Sequence, residues 1–275
     1  MGFIRANDCD LYVEVHGKGS PIVFLHGQTH SIDLFPAQLA KFGKTYKCIA
    51  YDRRGHARSQ STSYGYSVWN QAHDLKALLD ELDLNKIVLV AVAMSTTIAV
   101  TFASQFPDRL AALVLCSWYE LDGFPILEQR RKAHRMSFAE LHITMFEIMQ
   151  RKGRMALEQY MLDNYPTILP IFPPDKPEVT RRLVEIFSCH PPSHYLQTGE
   201  FYTSIPYLVP KLKEVRCPVL GICGDQDPSP DRPEILNDMP NFSQAWIAGA
   251  RRFTMMECPD QFNDVLLEFL SDVGH

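Results

Sequence analysis

The chain has 275 residues, 46% of them hydrophobic and 21% charged, the balance of a folded globular protein and not of a disordered or fibrous one. Lys and Arg number 27 against 32 Asp and Glu, a net charge of −5 with no basic stripe, which argues against nucleic acid as a partner. No apolar run approaches the ~20 residues of a membrane span, and Met1-Gly2-Phe3-Ile4-Arg5-Ala6 carries no apolar signal core, so a cytoplasmic protein without membrane contact is expected.

Short apolar runs alternate with helical patterns over the first ~115 residues. Pro21 to Leu25 reads as a strand ending at His26-Gly27, and Lys47 to Tyr51 as a strand ending at Asp52. Trp69 to Leu82 has helical spacing. Lys86 to Val92 is a β-branched strand that runs directly into a helix from Thr96 to Phe106. A further strand, Ala112 to Cys116, closes this half, and strand alternating with helix implies a parallel sheet with right-handed crossovers.

From about Glu120 to Pro210 the pattern changes to helices rich in Met, Phe and Arg, broken by Pro166, Pro170, Pro173-Pro174, Pro177 and Pro191-Pro192. Strands return at Pro218 to Cys223 and Ser243 to Ala248, and an amphipathic helix, Gln261 to Leu270, ends the chain. The expected organisation is one α/β core from residues 1–118 and 211–275, with 119–210 inserted between sheet strands as a helical lid. The lid's Met136, Met145, Met149, Met155 and Met161, with Phe138, Phe146 and Tyr160, are expected to serve as core and pocket lining.

The seven cysteines are scattered and include no Cys-x-x-Cys pair, so neither a zinc knuckle nor a disulfide framework is indicated. His190 and His194 sit four apart, but Pro191-Pro192 between them blocks helical pairing, and no metal site is expected. Without a G-x-G-x-x-G or P-loop fingerprint between a strand and a helix, no cofactor is implied.

Several stretches stand in a telling order: His26-Gly27-Gln28, then Asp52-Arg53-Arg54-Gly55-His56-Ala57-Arg58-Ser59, then Phe102 to Leu110. Gly224-Asp225-Gln226-Asp227, Gly249-Ala250-Arg251-Arg252-Phe253 and Cys258-Pro259-Asp260-Gln261-Phe262 follow late in the chain. In this order and spacing the chain resembles the α/β-hydrolase superfamily over nearly its whole length. The resemblance implies a mostly parallel central sheet flanked by helices with an inserted helical lid.

Two positions depart from that pattern. The family's G-x-S-x-G turn aligns with Ala91-Val92-Ala93-Met94-Ser95, which puts Ala93 at the nucleophile position, and a methyl group cannot attack a carbonyl. The family's late histidine aligns with Arg252, whose guanidinium cannot accept a proton. Of the three triad positions the resemblance retains only the acid, Asp227. Ser95 is a nucleophile only if the register shifts, and otherwise a packing residue or local cap.

The resemblance also implies an oxyanion hole from the backbone N–H groups of Gln28 and Met94, with Asp227 in reach of Arg252 and a cavity lined by Ala93, Met94 and Trp118. His30, just after the oxyanion loop, is the candidate proton-transfer group, weighed against a loop histidine bonded locally. His26 and His56 read as structural, as do Cys116 and Cys258. The expected function is non-covalent, cofactor-free chemistry on a small apolar carbonyl or carboxylate compound: decarboxylation, C–C cleavage, isomerisation or cyclisation through an enolate-like intermediate. The alternatives are a non-catalytic ligand-binding pseudo-hydrolase, a cofactor-free dioxygenase of the quinolone type, and a hydrolase with an unrecognised nucleophile. The partner is a small molecule, and a homodimer is left open.

Overall fold

The computed structural model describes residues 1–117, 121, 123, 138–168, 170–228 and 233–275. Eight strands form one sheet: β1 (Gly2–Ala6), β2 (Cys9–His16), β3 (Pro21–Leu25), β4 (Lys47–Tyr51), β5 (Ile87–Val92), β6 (Leu110–Cys116), β7 (Val219–Gly224) and β8 (Phe242–Ile247). Their spatial order is β1-β2-β4-β3-β5-β6-β7-β8. From β4 to β8 every pairing is parallel, whereas β1 and β2 pair antiparallel with each other and β2 with β4. The antiparallel pair at the edge is absent from the sequence reading, which starts the sheet at Pro21. Its turn is Asn7-Asp8, both with positive φ, the residue type and backbone of a two-residue hairpin.

The central strands are β-branched and apolar without interruption because both faces are covered. Val23, Leu25, Ile49, Leu89 and Ala91 face one core, shared with α2 (Val68–Glu81) and α3 (Ser95–Gln105). Ile22, Phe24, Cys48, Val88 and Val90 face the other, shared with α1 (Pro36–Phe42) and the closing helices α8 (Thr254–Glu257) and α9 (Pro259–Asp272). The alternation is the two-residue period of a strand expressed on a sheet buried from both sides. Helix α2 starts where Ser67 Oγ accepts from the Asn70 N–H at 3.2 Å, occupying a donor that has no partner within the helix.

Between β6 and β7, which are hydrogen-bonded neighbours, lie α4 (Phe138–Lys152), α5 (Arg154–Ile168), α6 (Pro177–Ser188) and α7 (Pro192–Thr203). The excursion closes on itself, since the Leu208 N–H donates to the Leu121 carbonyl at 2.8 Å. Met145 and Met161 are buried in it as expected, but Met155 is 84% exposed and lines nothing. Met136 lies outside the described residues, as does the side chain of Phe138. No described helix is long and apolar enough to cross a membrane.

Candidate functional site

Strand β5 ends at Val92 and α3 begins at Ser95, so two residues turn the chain from sheet to helix. Ala93 takes that turn with φ +52°, a left-handed conformation disfavoured for a residue with a Cβ. The turn is held from outside: Ala93 N–H donates to the Cys116 carbonyl at 2.9 Å, and Ser95 Oγ accepts from the Val92 N–H at 2.9 Å. The Ser95 hydroxyl is fully buried and also lies 2.9 Å from the Leu25 and Val92 carbonyls. Every role of that hydroxyl is taken up by the turn, which suits a local cap and takes Ser95 out of the candidate nucleophiles.

Arg252 and Asp227 come together at the ends of β8 and β7. Arg252 Nε donates to Asp227 Oδ2 at 3.0 Å and Nη2 to Oδ1 at 3.3 Å, a two-pronged pair buried on both sides. The loop carrying Arg252 is pinned on either flank. Glu257 accepts from the Arg251 N–H at 2.8 Å through one oxygen and from the Phe253 N–H at 2.9 Å through the other, and Ser117 Oγ donates to the Arg252 carbonyl at 2.8 Å. Burial raises the Glu257 carboxyl above its ordinary range, against those two N–H donors. Gly224 is required here, because a Cβ at its position would run into the Ala250 and Arg251 carbonyls.

His30 is buried between the rings of Phe187 and Phe253, at centroid distances of 4.9 and 5.3 Å, and among the described residues its Nδ1 has no hydrogen-bond partner. The locally bonded loop histidine is therefore not what the structure shows. Gln28 and Ser31 do not hold its ring, for the Gln28 side chain is bonded to Arg53 and Ser31 caps the 3-10 turn that starts at Ile32. The ring packs so closely on Gly27 that a Cβ there would meet it at 2.7 Å, and the same point is 2.8 Å from the Val92 carbonyl. Burial, then the Arg53 charge, then His190 and Arg252, push the His30 imidazole well below its ordinary value, so it is neutral at physiological pH. Trp118 lies outside the described residues.

Sequence reading missed the residue at the centre of this region. Arg53 Nη1 donates to Gln71 Oε1 at 2.6 Å, and Nη2 to the Gly27 carbonyl at 2.9 Å and to Gln28 Oε1 at 2.8 Å. His56 Nε2 lies 3.1 Å from the same nitrogen, and the face of the guanidinium rests on Phe201. Around it converge His26, His56, His190 and His194. His26 Nδ1 bonds to the Gly27 carbonyl at 2.8 Å while its Nε2 accepts from the Arg53 N–H at 2.9 Å, and His56 Nδ1 lies 2.9 Å from the Arg54 carbonyl. The prolines do keep His190 out of the helix, since Pro192 opens α7, yet the His190 and His194 rings meet outside helical spacing and stack at 4.1 Å. Among the described residues no cluster of metal-ligating groups has the geometry to hold an ion. Cys258 is half-buried, not buried, and its neighbouring cation is Lys176, with Nζ at 3.4 Å. Cys116 is buried, and burial pushes its thiol well above the ordinary value.

The family model described as "alpha/beta hydrolase fold" matches residues 20–140, the stretch that contains the Gly27 loop, the Arg53 turn and the Ala93 turn. The chain has the α/β-hydrolase fold. Among solved structures, this α/β-hydrolase-fold chain superposes on a carboxylesterase from the thaumarchaeon Nitrososphaera gargenis with a TM-score of 0.81 at 22% identity, covering 99% of this chain and 98% of that one. It is 26% identical over 161 residues to a 2-(acetamidomethylene)succinate hydrolase of Mesorhizobium japonicum, covering 58% of this chain and 53% of that protein. It is also 26% identical over 266 residues to a putative 2-succinyl-6-hydroxy-2,4-cyclohexadiene-1-carboxylate synthase of Bacillus subtilis, covering 92% of this chain and 90% of that protein. The first curated relatives are matched over only 31% to 53% of their own lengths.

Proposed function

We propose that this α/β-hydrolase-fold chain is an enzyme that works without a covalent intermediate and without a cofactor on a small apolar carbonyl or carboxylate compound. The observation that carries the reading is the Ala93 turn: the left-handed backbone is present at φ +52°, while the side chain on it has no atom able to attack. The strain of that turn aims the backbone N–H that follows it, and this function survives the loss of a hydroxyl. Among the described residues neither the Gln28 nor the Met94 N–H donates to a backbone carbonyl, which leaves both for charge developing on a ligand oxygen. Helices α4 to α7 serve as the lid that keeps water from the pocket.

In this reading His30 is the proton acceptor. A neutral imidazole packed on Gly27 accepts a proton from a carbon next to a carbonyl, and the two N–H donors hold the resulting enolate. The imidazolium formed is then stabilised by the enolate beside it. Arg252, with its charge balanced by Asp227, shapes the pocket wall and orients the ligand. The synthase relative that spans most of this chain supports the view that the scaffold is not restricted to ester hydrolysis.

The test is exchange of carbon-bound hydrogen in deuterated water, followed by NMR on a panel of β-keto acids and 1,3-dicarbonyl compounds. Exchange or turnover above the buffer rate is expected, reduced ~10²-fold or more in His30→Gln and also reduced in Arg252→Ala. A ligand that stabilises the protein yet is recovered unchanged and unexchanged would replace this reading with that of a binding protein.

A further inference from the structure

The two arginines whose charges act on His30 differ in one respect. Arg252 has its charge balanced by Asp227, with both side chains almost wholly buried. Arg53 is as deeply buried, but among the described residues no carboxylate lies within ion-pair distance of it, and each of its partners is a neutral acceptor: the Gln71 and Gln28 amides, the Gly27 carbonyl and the His56 ring. Its Nε has no hydrogen-bond partner among the described residues. The nearby Asp74 is committed elsewhere, gripping Arg54 through both oxygens at 2.6 and 2.7 Å. The region under the Gly27 loop thus holds a positive charge that no carboxylate among the described residues contacts, an arrangement that is costly in a low-dielectric interior. Burial draws the Arg53 guanidinium down to about 10, still charged at neutral pH.

We infer that Arg53 is the charge-recognising residue of the pocket and that the ligand brings a carboxylate, which replaces the Gln28 side chain on the guanidinium. Gln28 is the one partner able to yield. The Gly27 carbonyl is main chain, Gln71 is tied by its own Nε2 to the Tyr66 carbonyl at 2.7 Å, and His56 is fixed by the Arg54 carbonyl. The Gln28 amide oxygen, 2.8 Å from Nη2, stands where a carboxylate oxygen would stand and carries no charge. Exchange of a neutral acceptor for an anionic one strengthens the bond to the guanidinium and balances the buried cation in one step. The inference rests on the pocket over Ala93 being the ligand site, and it narrows the ligand class from carbonyl or carboxylate to carboxylate.

The experiment is a thermal-shift titration of the full chain at constant ionic strength with paired probes: acetate and acetamide, benzoate and benzamide, phenylacetate and phenylacetamide. At least one acid is expected to give a saturable rise in Tm, at a concentration about tenfold or more below that of its amide. Gln28→Glu places a carboxylate on Arg53 without a change of shape. It is expected to raise the Tm of the ligand-free protein and to abolish the response to the acid, as is Arg53→Gln if that variant folds. Equal responses to acid and amide, no response to any acid, or an unchanged acid response in Gln28→Glu would each overturn the inference. A chain that binds acids through Arg53 but exchanges no carbon-bound hydrogen keeps this inference and loses the proposed reaction, and the converse result separates them the other way.

Discussion

Acidification is the perturbation to which this fold is most exposed, and the size of the effect follows from its buried histidines. His26, His30, His56, His190 and His194 are all held below the ordinary imidazole value, chiefly by burial, and His190 down to about 3. Hydrogen bonding requires the same state independently: His26 Nε2 and His190 Nδ1 accept from the Arg53 and Ala57 N–H groups, which an imidazolium cannot do. In the unfolded chain each histidine titrates near 6.5. Below that pH the unfolded state binds protons that the folded state refuses, so the stabilisation is whole above about 6.5 and is lost as pH falls. One such group forfeits about 1.4 kcal/mol by pH 5.5, and five together at most about 7 kcal/mol, comparable with the whole stability of a typical domain. The buried carboxyls of Asp52, Asp74 and Glu257, raised by burial, act with the opposite sign but nearer the carboxylate range, too low to compensate at pH 5.5. Urea unfolding followed by circular dichroism from pH 8 to 5 should show a plateau above about 7 and a steep fall below about 6.5. His194→Gln, though itself destabilising, should make that fall shallower by about one proton. A flat profile between pH 7 and 5, or a fall of the same steepness in His194→Gln, would refute the reasoning.

Asp227→Asn leaves a buried guanidinium facing a neutral amide and should cost about 3–5 kcal/mol in urea unfolding, while Asp227→Leu with Arg252→Met should cost far less than the sum of the single changes. Ala93→Ser restores a hydroxyl to the turn but not the family's base at position 252, so only slow labelling by a fluorophosphonate is expected. Ala93→Ser with Arg252→His should label at least ~10²-fold faster, as judged by mass spectrometry. Glu257→Gln weakens the clamp on both sides of Arg252 and should cost about 1–3 kcal/mol by the same unfolding assay.

What was legible in the sequence was whatever a local pattern can carry. The runs at Val23, Ile49 and Leu89 read as strands because both faces of the sheet are covered, and their uninterrupted apolar character is the imprint of that burial. The register that put Ala93 between β5 and α3 needed only the count of residues to Phe102. The hairpin of β1 and β2 was missed although Asn7-Asp8 advertised it, because its outer strand is exposed and its alternation weak. The difference between Arg53 and Arg54 could not be read at all: the two are adjacent and identical, and only folding sends Arg54 to Asp74 and leaves Arg53 among neutral groups. The same holds for the histidines, which arrive from the Gly27 loop, the Gly55 turn and the entry to α7 and meet only in three dimensions.

Beyond the hydrogen bond between Leu121 and Leu208 at its base, the helical excursion is fastened to the core at further points: the Ala57 N–H donates to His190 Nδ1, His194 Nδ1 bonds to the Gly55 carbonyl, and Lys176 Nζ donates to the Glu257 carbonyl. The entropy of closing such a loop grows only as the logarithm of its length, about 0.6 kcal/mol for each doubling, so stretches between those attachments can lengthen or shorten at little thermodynamic expense to the sheet. Two lineages of this chain could therefore diverge by trading those stretches, while the attachments, the Ala93 turn and the Arg252 loop stayed as they are. A graft made at Leu121 and Leu208 would have to carry the attachments with it.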